Sequence, residues 1–390
     1  MPSLPQPSAD ALEQSTCLVA LIHAEIVAAG GWVPFSRYME LALYAPGLGY
    51  YSGGARKFGP GGDFITAPEL TPLFGQALAS QVEQVMQLSV RQVIEVGAGT
   101  GLLAADLLLE LERRGTVPER YGILELSAEL RERQFDTLAR QVPHLASRVD
   151  WLEALPESFS GAVIANEVVD VMPVHLIVSR AEGLFERGVM LAGVEAAAGF
   201  RWGDMPAQGA VLDAARALAL PEPTEGEYVT EINLAGQAWV ASWADRLQHG
   251  AMLLIDYGYP RAEFYLPSRS SGTLLCYYRH HAHADPFLWP GLNDITEFVD
   301  FTAMAEAAFE AGLEVLGYTS QAHFLFNCGV LECLARRAPE ETADYVRAAR
   351  AVQRLTTPQE MGELFKVLAL GRGIEMPLLG FVRGDRLHTL

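Results

Sequence analysis

The sequence predicts an α/β fold: a mostly parallel sheet with helices on both faces. Three observations predict it. From Arg91 onward, short continuous apolar runs alternate with stretches of helical periodicity, and the first such run leads straight into a glycine-rich turn. The chain has 390 residues and is 50% hydrophobic, ample for a large core. Strands buried on both faces lose the in–out alternation of a half-exposed sheet, and covering helices are what bury them. At about 150 residues per domain, this length fits two or three domains, or one domain with large insertions.

The opening MPSLPQPSAD reads as a short disordered lead-in, and Ala11 to Ala29 as a helix stopped by Gly30-Gly31. YAPGLGYYSGGARKFGPGGDFITAPEL follows, with too many glycines for a regular element and too little polarity for a linker. Long ordered loops of this type are often functional lids. Leu73 to Leu88 returns to helical periodicity. QVIEV is then a strand, Leu102 to Arg113 a helix, YGILEL a second strand, Ala128 to Gln141 a helix, SRVDWL a third strand and GAVIANE a fourth. HLIVSR-AEG-LFERGVML reads as a β-hairpin, with further β-structure at EYVTEIN. The α/β pattern resumes with a helix from Leu234 to Gln248 and the strand AMLLIDYG. After a loop-rich insertion from Tyr259 to Asp294 come a helix at Thr302 to Ala311, the strand LEVLGYTSQ, a helix from Gly329 to Leu355, and FKVLAL opening a final strand pair. The expected organisation is a leading helical and Gly-rich lid segment (1–90), the first half of the α/β core (91–173), a β-rich insertion (174–233) and the second half of the core (234–390).

The formal net charge is -20, and Lys57 and Lys366 are the only lysines. Nucleic-acid affinity comes mainly from Lys and Arg neutralising phosphates, so this balance argues against a nucleic-acid partner. It suits a cationic partner such as an arginine-bearing protein segment, or simply a soluble acidic surface. Cys17, Cys276, Cys328 and Cys333 form no C-x-x-C pair and read as reduced, mostly buried thiols. No apolar run approaches the roughly 18 residues that span a membrane. The first thirty residues contain no Lys or Arg, which argues against a signal peptide or basic presequence. The expectation is a cytoplasmic protein without membrane insertion; the sequence sets no oligomeric state. His280, His281 and His283 lack a convincing set of further ligands, so they read as loop histidines rather than a metal site.

The strand QVIEV runs into Gly97-Ala98-Gly99-Thr100-Gly101, followed directly by a helix. Glycines let backbone approach a ligand, and a helix N-terminus presents free N–H groups. A dinucleotide fingerprint needs G-x-G-x-x-G, but Leu102 stands where its last glycine belongs. The spacing G-x-G-x-G, with Glu95 two residues ahead, is similar to motif I of class I S-adenosylmethionine (SAM) methyltransferases. That likeness implies that Gly97, Gly99 and Gly101 cradle SAM and that Glu95 helps position its amino group. Glu125, at the end of the second strand, stands where an acid can take both ribose hydroxyls in a bidentate hydrogen bond. Asp150 and Trp151 close the third strand, where an acid could bond the adenine amine and an aromatic could stack on its ring, although Trp151 also suits a core.

GDFITAPEL, VIEVGAGTG, ANEVVDVMP, LLIDYG, GTLLCYYRH and NDIT, in this order, resemble the MidA-type SAM-dependent methyltransferases. The resemblance runs from about Gly30 to Phe381. It implies a Rossmann-like class I fold with a seven-stranded, mostly parallel sheet and family-specific insertions. It also implies methylation of a protein arginine ω-nitrogen, symmetric in the mitochondrial members. Those members include a complex I assembly factor that methylates a complex I subunit.

Arginine explains the acids in Ala165-Asn166-Glu167-Val168-Val169-Asp170. A guanidinium is charged and delocalised at neutral pH, hence a poor nucleophile. Carboxylates can grip two of its nitrogens and leave the third facing the methyl group. Glu167 and Asp170 are three apart and would share a face if a helix or turn starts after the strand. Asn166 could bond cofactor or target through its amide. Asp63, Thr66, Pro68 and Glu69 fall in the Gly-rich segment, which reads as a lid over SAM with Thr66 and Glu69 facing the pocket. Glu231 and Asn233 lie at the mouth of the β insertion, Asp256 ends the fifth strand on the ligand edge, and Asp294 and Thr296 look like helix N-cap chemistry. Tyr50, Tyr51, Tyr257 and Tyr265 suit a target groove or core packing. Competing readings are methylation of a small molecule or another protein side chain, and a SAM-binding assembly chaperone with vestigial catalysis. An NAD enzyme is disfavoured by Leu102.

Overall fold

The computed structural model describes residues 4–53, 66–193, 199–221, 223, 226–337 and 342–390. The chain divides into two compact units, each assembled from three chain segments: residues 1–64, 170–236 and 261–299 form one, and residues 65–169, 237–260 and 300–390 the other. These units cut across the linear boundaries at 90, 173 and 233. The helix Leu73–Leu88 belongs with the α/β segments, and residues 1–64 group with the β insertion.

The second unit holds the α/β core. Its strands are β1 (Gln92–Val96), β2 (Arg120–Leu124), β3 (Val149–Leu152), β4 (Phe159–Asn166), β5 (Leu247–Tyr259), β6 (Glu314–Ser320) and β7 (Phe365–Arg372). They lie in the order β6-β7-β5-β4-β1-β2-β3. A further two-residue strand at Val299–Asp300 makes the sheet eight-stranded. The pairings from β5 through β4, β1 and β2 to β3 are parallel, and β7 runs antiparallel to both β5 and β6. From Gly250 to Asp256 on β5, and from Phe365 to Gly371 on β7, every residue is buried, the pattern of a sheet covered on both faces. Helices α1 (Leu73–Leu88), α2 (Leu102–Arg113) and α3 (Ala128–Gln141) contribute to this cover. Leu78 and Val82 of α1 and Leu107 and Leu111 of α2 are fully buried in one cluster with Ile123 and Ile164.

Several sequence expectations change here. Among the described residues β7 has no strand after it; FKVLAL does not open a strand pair but fills the gap between β5 and β6. The helix from Leu234 stops at Ala244 because the chain enters β5 by Leu247. A helix at Gln321–Asn327 was not foreseen. The expected helix from Gly329 to Leu355 divides into Val330–Ala335 and Thr342–Thr356, with 338–341 outside the described residues.

The first unit holds a five-stranded sheet. His175–Arg180 and Gly183–Leu191 form the expected hairpin, closed at the pair Arg180↔Gly183. Tyr228–Ile232, Phe200–Pro206 and Val33–Pro34 pair around it. The segment 174–233 also contains the helix Gly209–Ala217. The region taken as a loop-rich insertion forms a three-stranded sheet, with Leu275–Tyr278 between His281–His283 and Asp294–Thr296. Asp294 and Thr296 are therefore strand residues. The capping role falls to Asp300, whose side chain accepts the Ala303 N–H at 3.1 Å.

The helix Ala9–Ala28 corrects the expectation about apolar runs. With 20 residues and mean hydropathy 1.3, it is long and apolar enough, by length and composition, to cross a membrane. Glu13 and Glu25 break the run in sequence, which hides it from a search for uninterrupted apolar stretches. Here Leu18, Ile22 and Ile26, spaced four apart on one face, are fully buried in a cluster with Phe35, Tyr38 and Met39.

The parallel core rests on one glycine pair. Gly161 and Gly250 are register partners on β4 and β5, with φ of 138° and 143°. A Cβ on Gly250 would stand 2.0 Å from the Gly161 carbonyl oxygen, and one on Gly161 would stand 2.2 Å from that of Gln92. Neither strand can yield without breaking its ladder. Gly250→Ala is expected to lower stability by on the order of 3 kcal/mol, read from urea denaturation of wild type and variant.

Candidate active site

The glycine loop is built as the sequence demanded. Gly97, Gly99 and Gly101 all have left-handed backbone, with φ of 64°, 51° and 80°. A side chain at any of them would be strained. Gly97 N–H donates to Leu124 O at 3.0 Å, and Gly101 N–H to Ala98 O at 2.7 Å, closing the turn into α2. The N-terminus of α2 has Gly101 as its cap residue and no side chain bonded to it. Its first amides are thus oriented for a polar ligand.

Glu95 lies beneath this loop, 2% exposed, and accepts the Tyr121 hydroxyl at 2.5 Å. Burial pushes its carboxyl up to about 7, against the pull of that hydrogen bond. Asp106 on α2 is likewise raised by burial to about 7. Glu125 follows β2 directly and is also raised by burial, although its Oε1 accepts the Ser127 N–H at 2.9 Å.

Gln134, on α3, is a residue that sequence reasoning missed. Its amide Nε2 donates to Glu125 Oε2 at 3.0 Å and to Gly99 O at 3.1 Å, and its Oε1 accepts the Trp151 indole N–H at 2.9 Å. One fully buried amide thus ties the glycine loop, the acid after β2 and the aromatic of β3 together. A polar residue on the inner face of an otherwise amphipathic helix is the signal that could have found it. Asp150 does not join this group. It points to the opposite side of β3 from Trp151 and pairs with Arg120 at 3.3 Å, both side chains more than half exposed. Neighbouring strand residues face opposite ways, so an adjacent acid and aromatic could not both face one pocket.

Asn166 ends β4, and its Nδ2 donates to Glu167 Oε1 at 3.1 Å. Asn166 Oδ1 is buried with no partner within the protein. Glu167 has a left-handed backbone, φ 54°, which costs a non-glycine residue about 1–2 kcal/mol. The chain therefore leaves the strand end in a turn and not in a helix, and Glu167 and Asp170 fall in different units. Asp170 lies in the other unit, 3% exposed, where its carbonyl accepts the Glu297 N–H at 2.9 Å. In that unit Tyr51 donates to both carboxylate oxygens of Asp294, at 3.0 and 3.1 Å. Glu231 accepts the N–H groups of Thr273 and Leu274 at 2.8 and 2.9 Å, while Asn233 donates to Glu297 at 2.7 Å.

Asp63 and most of the expected lid lie outside the described residues. Thr66 is the N-cap position of a one-turn helix, Ala67–Leu70, with Pro68 and Glu69 in its first turn. That turn packs beside α1 and α2. His283 bonds Asn293 at 3.1 Å, and among the described residues no cluster of His, Cys, Asp or Glu is arranged to hold a metal ion.

The raised carboxyls have a consequence for stability. Glu95 titrates near 4.5 when exposed and near 7 in the fold, so between these values the unfolded chain is the more ionised. Raising pH through that window favours unfolding, and Asp106 acts in the same direction. The thermal midpoint of the ligand-free protein should fall as pH rises from about 4.5 to about 7. Glu95→Gln should remove part of that slope, on the order of 3 kcal/mol at most.

Comparison with known proteins agrees with this geometry. Residues 73–319 match the model of a family described as "Putative S-adenosyl-L-methionine-dependent methyltransferase". A crystal structure of a Burkholderia thailandensis protein bound to S-adenosyl-homocysteine is similar over 100% of both chains, at 51% identity and TM-score 0.94. The Drosophila melanogaster "Protein arginine methyltransferase NDUFAF7 homolog, mitochondrial" is 29% identical over 97% of this chain and 91% of its own length. The human "Protein arginine methyltransferase NDUFAF7, mitochondrial" is 26% identical over 87% of this chain and 80% of its own length. The left-handed glycine cradle, the acid after β2 and the orphaned Asn166 oxygen suit a cofactor with hydroxyl and amino groups. The chain belongs to this family of S-adenosyl-L-methionine-dependent methyltransferases, and S-adenosyl-L-methionine is its cofactor.

Proposed function

We propose that this chain methylates an ω-nitrogen of a protein arginine. The observation that carries the reading is Glu167, a carboxylate held in a strained turn at the end of the strand beside the glycine-loop strand. The relatives named as protein arginine methyltransferases support it. When bound, SAM supplies a methyl group on a good sulfonium leaving group. Gly97, Gly99 and Gly101 would hold the cofactor through their backbone, Glu95 would draw its amino group, Glu125 would take its ribose hydroxyls and Trp151 would pack beside its adenine. Thr66, Pro68 and Glu69, in the turn packed beside α1 and α2, are assigned to the same pocket.

Glu167 serves as the acceptor of guanidinium N–H bonds, with Asn166 Nδ2 fixing Oε1. A carboxylate so fixed localises the positive charge on the nitrogens it grips and leaves the remaining one to act as nucleophile. It then stabilises the methylated cation, and can accept the proton that the alkylated nitrogen releases.

Two experiments test the reading. Calorimetric titration should show S-adenosyl-homocysteine binding to the native protein and no binding to Gly99→Val, whose side chain would occupy a left-handed position in the loop. The purified protein with methyl-labelled SAM is then added to a lysate of cells lacking the gene, and the labelled proteins are hydrolysed. Label in ω-N-methylarginine supports the proposal, and the same hydrolysate distinguishes symmetric dimethylation from other products. Label in another residue or in a small molecule overturns it. Glu167→Gln should lower transfer by about 100-fold or more while leaving cofactor affinity within about threefold.

A further inference from the structure

The turn that carries Glu167 is braced from beneath by a residue outside the chemistry described so far. Asp256 lies near the end of β5, 2% exposed. Its Oδ2 accepts the N–H groups of Val168 at 3.3 Å and Val169 at 3.1 Å, and its Oδ1 accepts that of Tyr257 at 3.0 Å. The Glu167 N–H donates to Ile255 O at 2.9 Å. Three consecutive amides of the turn, 167 to 169, are thus taken in order by β5, first by a carbonyl and then by a carboxylate. Successive N–H groups converging on one anion make a nest, here filled by the protein itself.

The chemistry of the side chain matters. A carboxylate only accepts, with about four lone-pair directions, so it can serve the amides of Val168, Val169 and Tyr257 together. An amide in its place would turn an NH₂ group toward at least one N–H donor. On β7 the register partner of Asp256 is Lys366, 3% exposed, so a buried cation shares its face of the sheet. The turn also meets the cofactor loop: Val168 Cγ2 stands 3.3 Å from where a Cβ on Gly97 would be. A left-handed glutamate persists only where its surroundings over-determine it.

We infer that Asp256 is a positioning residue for methyl transfer: its carboxylate holds the 167–169 turn in the one conformation that presents Glu167 and seats Val168 against Gly97. It acts through Glu167, not on substrate or cofactor. The inference rests on the reading of Glu167 as the catalytic carboxylate.

The test uses the full chain as wild type, Asp256→Asn, Glu167→Gln and the double variant. Hydrogen exchange by mass spectrometry should show peptides spanning 166–170 exchanging about tenfold faster or more in Asp256→Asn, the loss expected for a charge-assisted hydrogen bond, with β1 and β2 unchanged. Binding of S-adenosyl-homocysteine should stay within about threefold. Label transfer should fall by about 10- to 100-fold in Asp256→Asn, yet the double variant should be no slower than Glu167→Gln alone. Unchanged exchange at 166–170 overturns the inference. So does loss of cofactor binding in step with general loss of protection, which would make Asp256 a fold residue only, and so does multiplication of the two transfer defects. If Asp256→Asn does not fold, Asp256→Glu, which keeps the acceptors on a longer arm, must show the same local loosening. If Glu167→Gln leaves transfer intact, the reading of Glu167 fails, while the exchange result still decides whether Asp256 holds the turn.

Discussion

The candidate site depends on the register of four parallel strands. Val96 pairs with both Leu124 and Ala165, and Asn166 pairs with Ile255. Gly97 and Glu125 follow Val96 and Leu124, while Glu167 and Asp256 follow Asn166 and Ile255, one residue further along the sheet. None of these residues is near another in sequence. Parallel hydrogen bonding sets them side by side, and a slip of one residue in any strand would turn its terminal side chain to the other face. The close approach at Gly161 and Gly250 belongs to the same constraint, because a side chain at either would push apart the two strands that carry Glu167 and Asp256.

A second theme is the placement of carboxylates where burial resists their charge. Glu95 and Glu125 are both raised by desolvation, and the hydrogen bonds from Tyr121, Ser127 and Gln134 only partly offset it. Such groups gain most from a ligand that brings donors or positive charge into the same space. Glu110 shows the opposite case. It is as deeply buried, but Arg113, Arg114 and Arg336 surround it and hold its carboxyl down at about 2. Glu110 carries its own counter-charges and reads as structural; Glu95 and Glu125 stay raised by burial, Glu125 despite the pull of Arg131, which is the electrostatic reason to place a ligand beside them.

The parts legible in the sequence were those with a local cause. The run QVIEVGAGTG specified strand, left-handed turn and helix through glycine positions alone. Buried strands announced themselves as continuous apolar runs. The parts that were not legible depend on alternation or on distant segments. Asp150 and Trp151 adjoin in sequence, which suggests one adenine site, yet the two-residue repeat of a strand sends them to opposite faces. Gln134 is ordinary in sequence and becomes central only because α3 packs it against the glycine loop. Asp294 and Thr296 suggest a cap because Asp and Thr are cap-type residues; the strand pairing of Asp294 with Tyr277 comes from a segment seventeen residues earlier. The interleaving of 1–64 with 170–236 and 261–299 has no local signature at all.

That interleaving bears on what decides the methyl acceptor. The chain leaves the α/β unit after Val169 and after Pro260, and re-enters it at Gln237 and Asp300. The two departures follow β4 and β5, the strands whose ends carry Glu167 and Asp256. In open α/β sheets the carboxyl ends of the strands are where ligands bind, and loops leaving those ends are where one scaffold acquires different substrates. The glycine loop lies on a strand with no such excursion, so it specifies cofactor chemistry and nothing about the acceptor. On the proposed reading of Glu167, the chain that follows β4 and β5 is where acceptor choice would be encoded. A change in those segments could redirect the enzyme to another target while leaving the cofactor machinery intact, and so the motif that identifies the cofactor so readily is silent about the substrate.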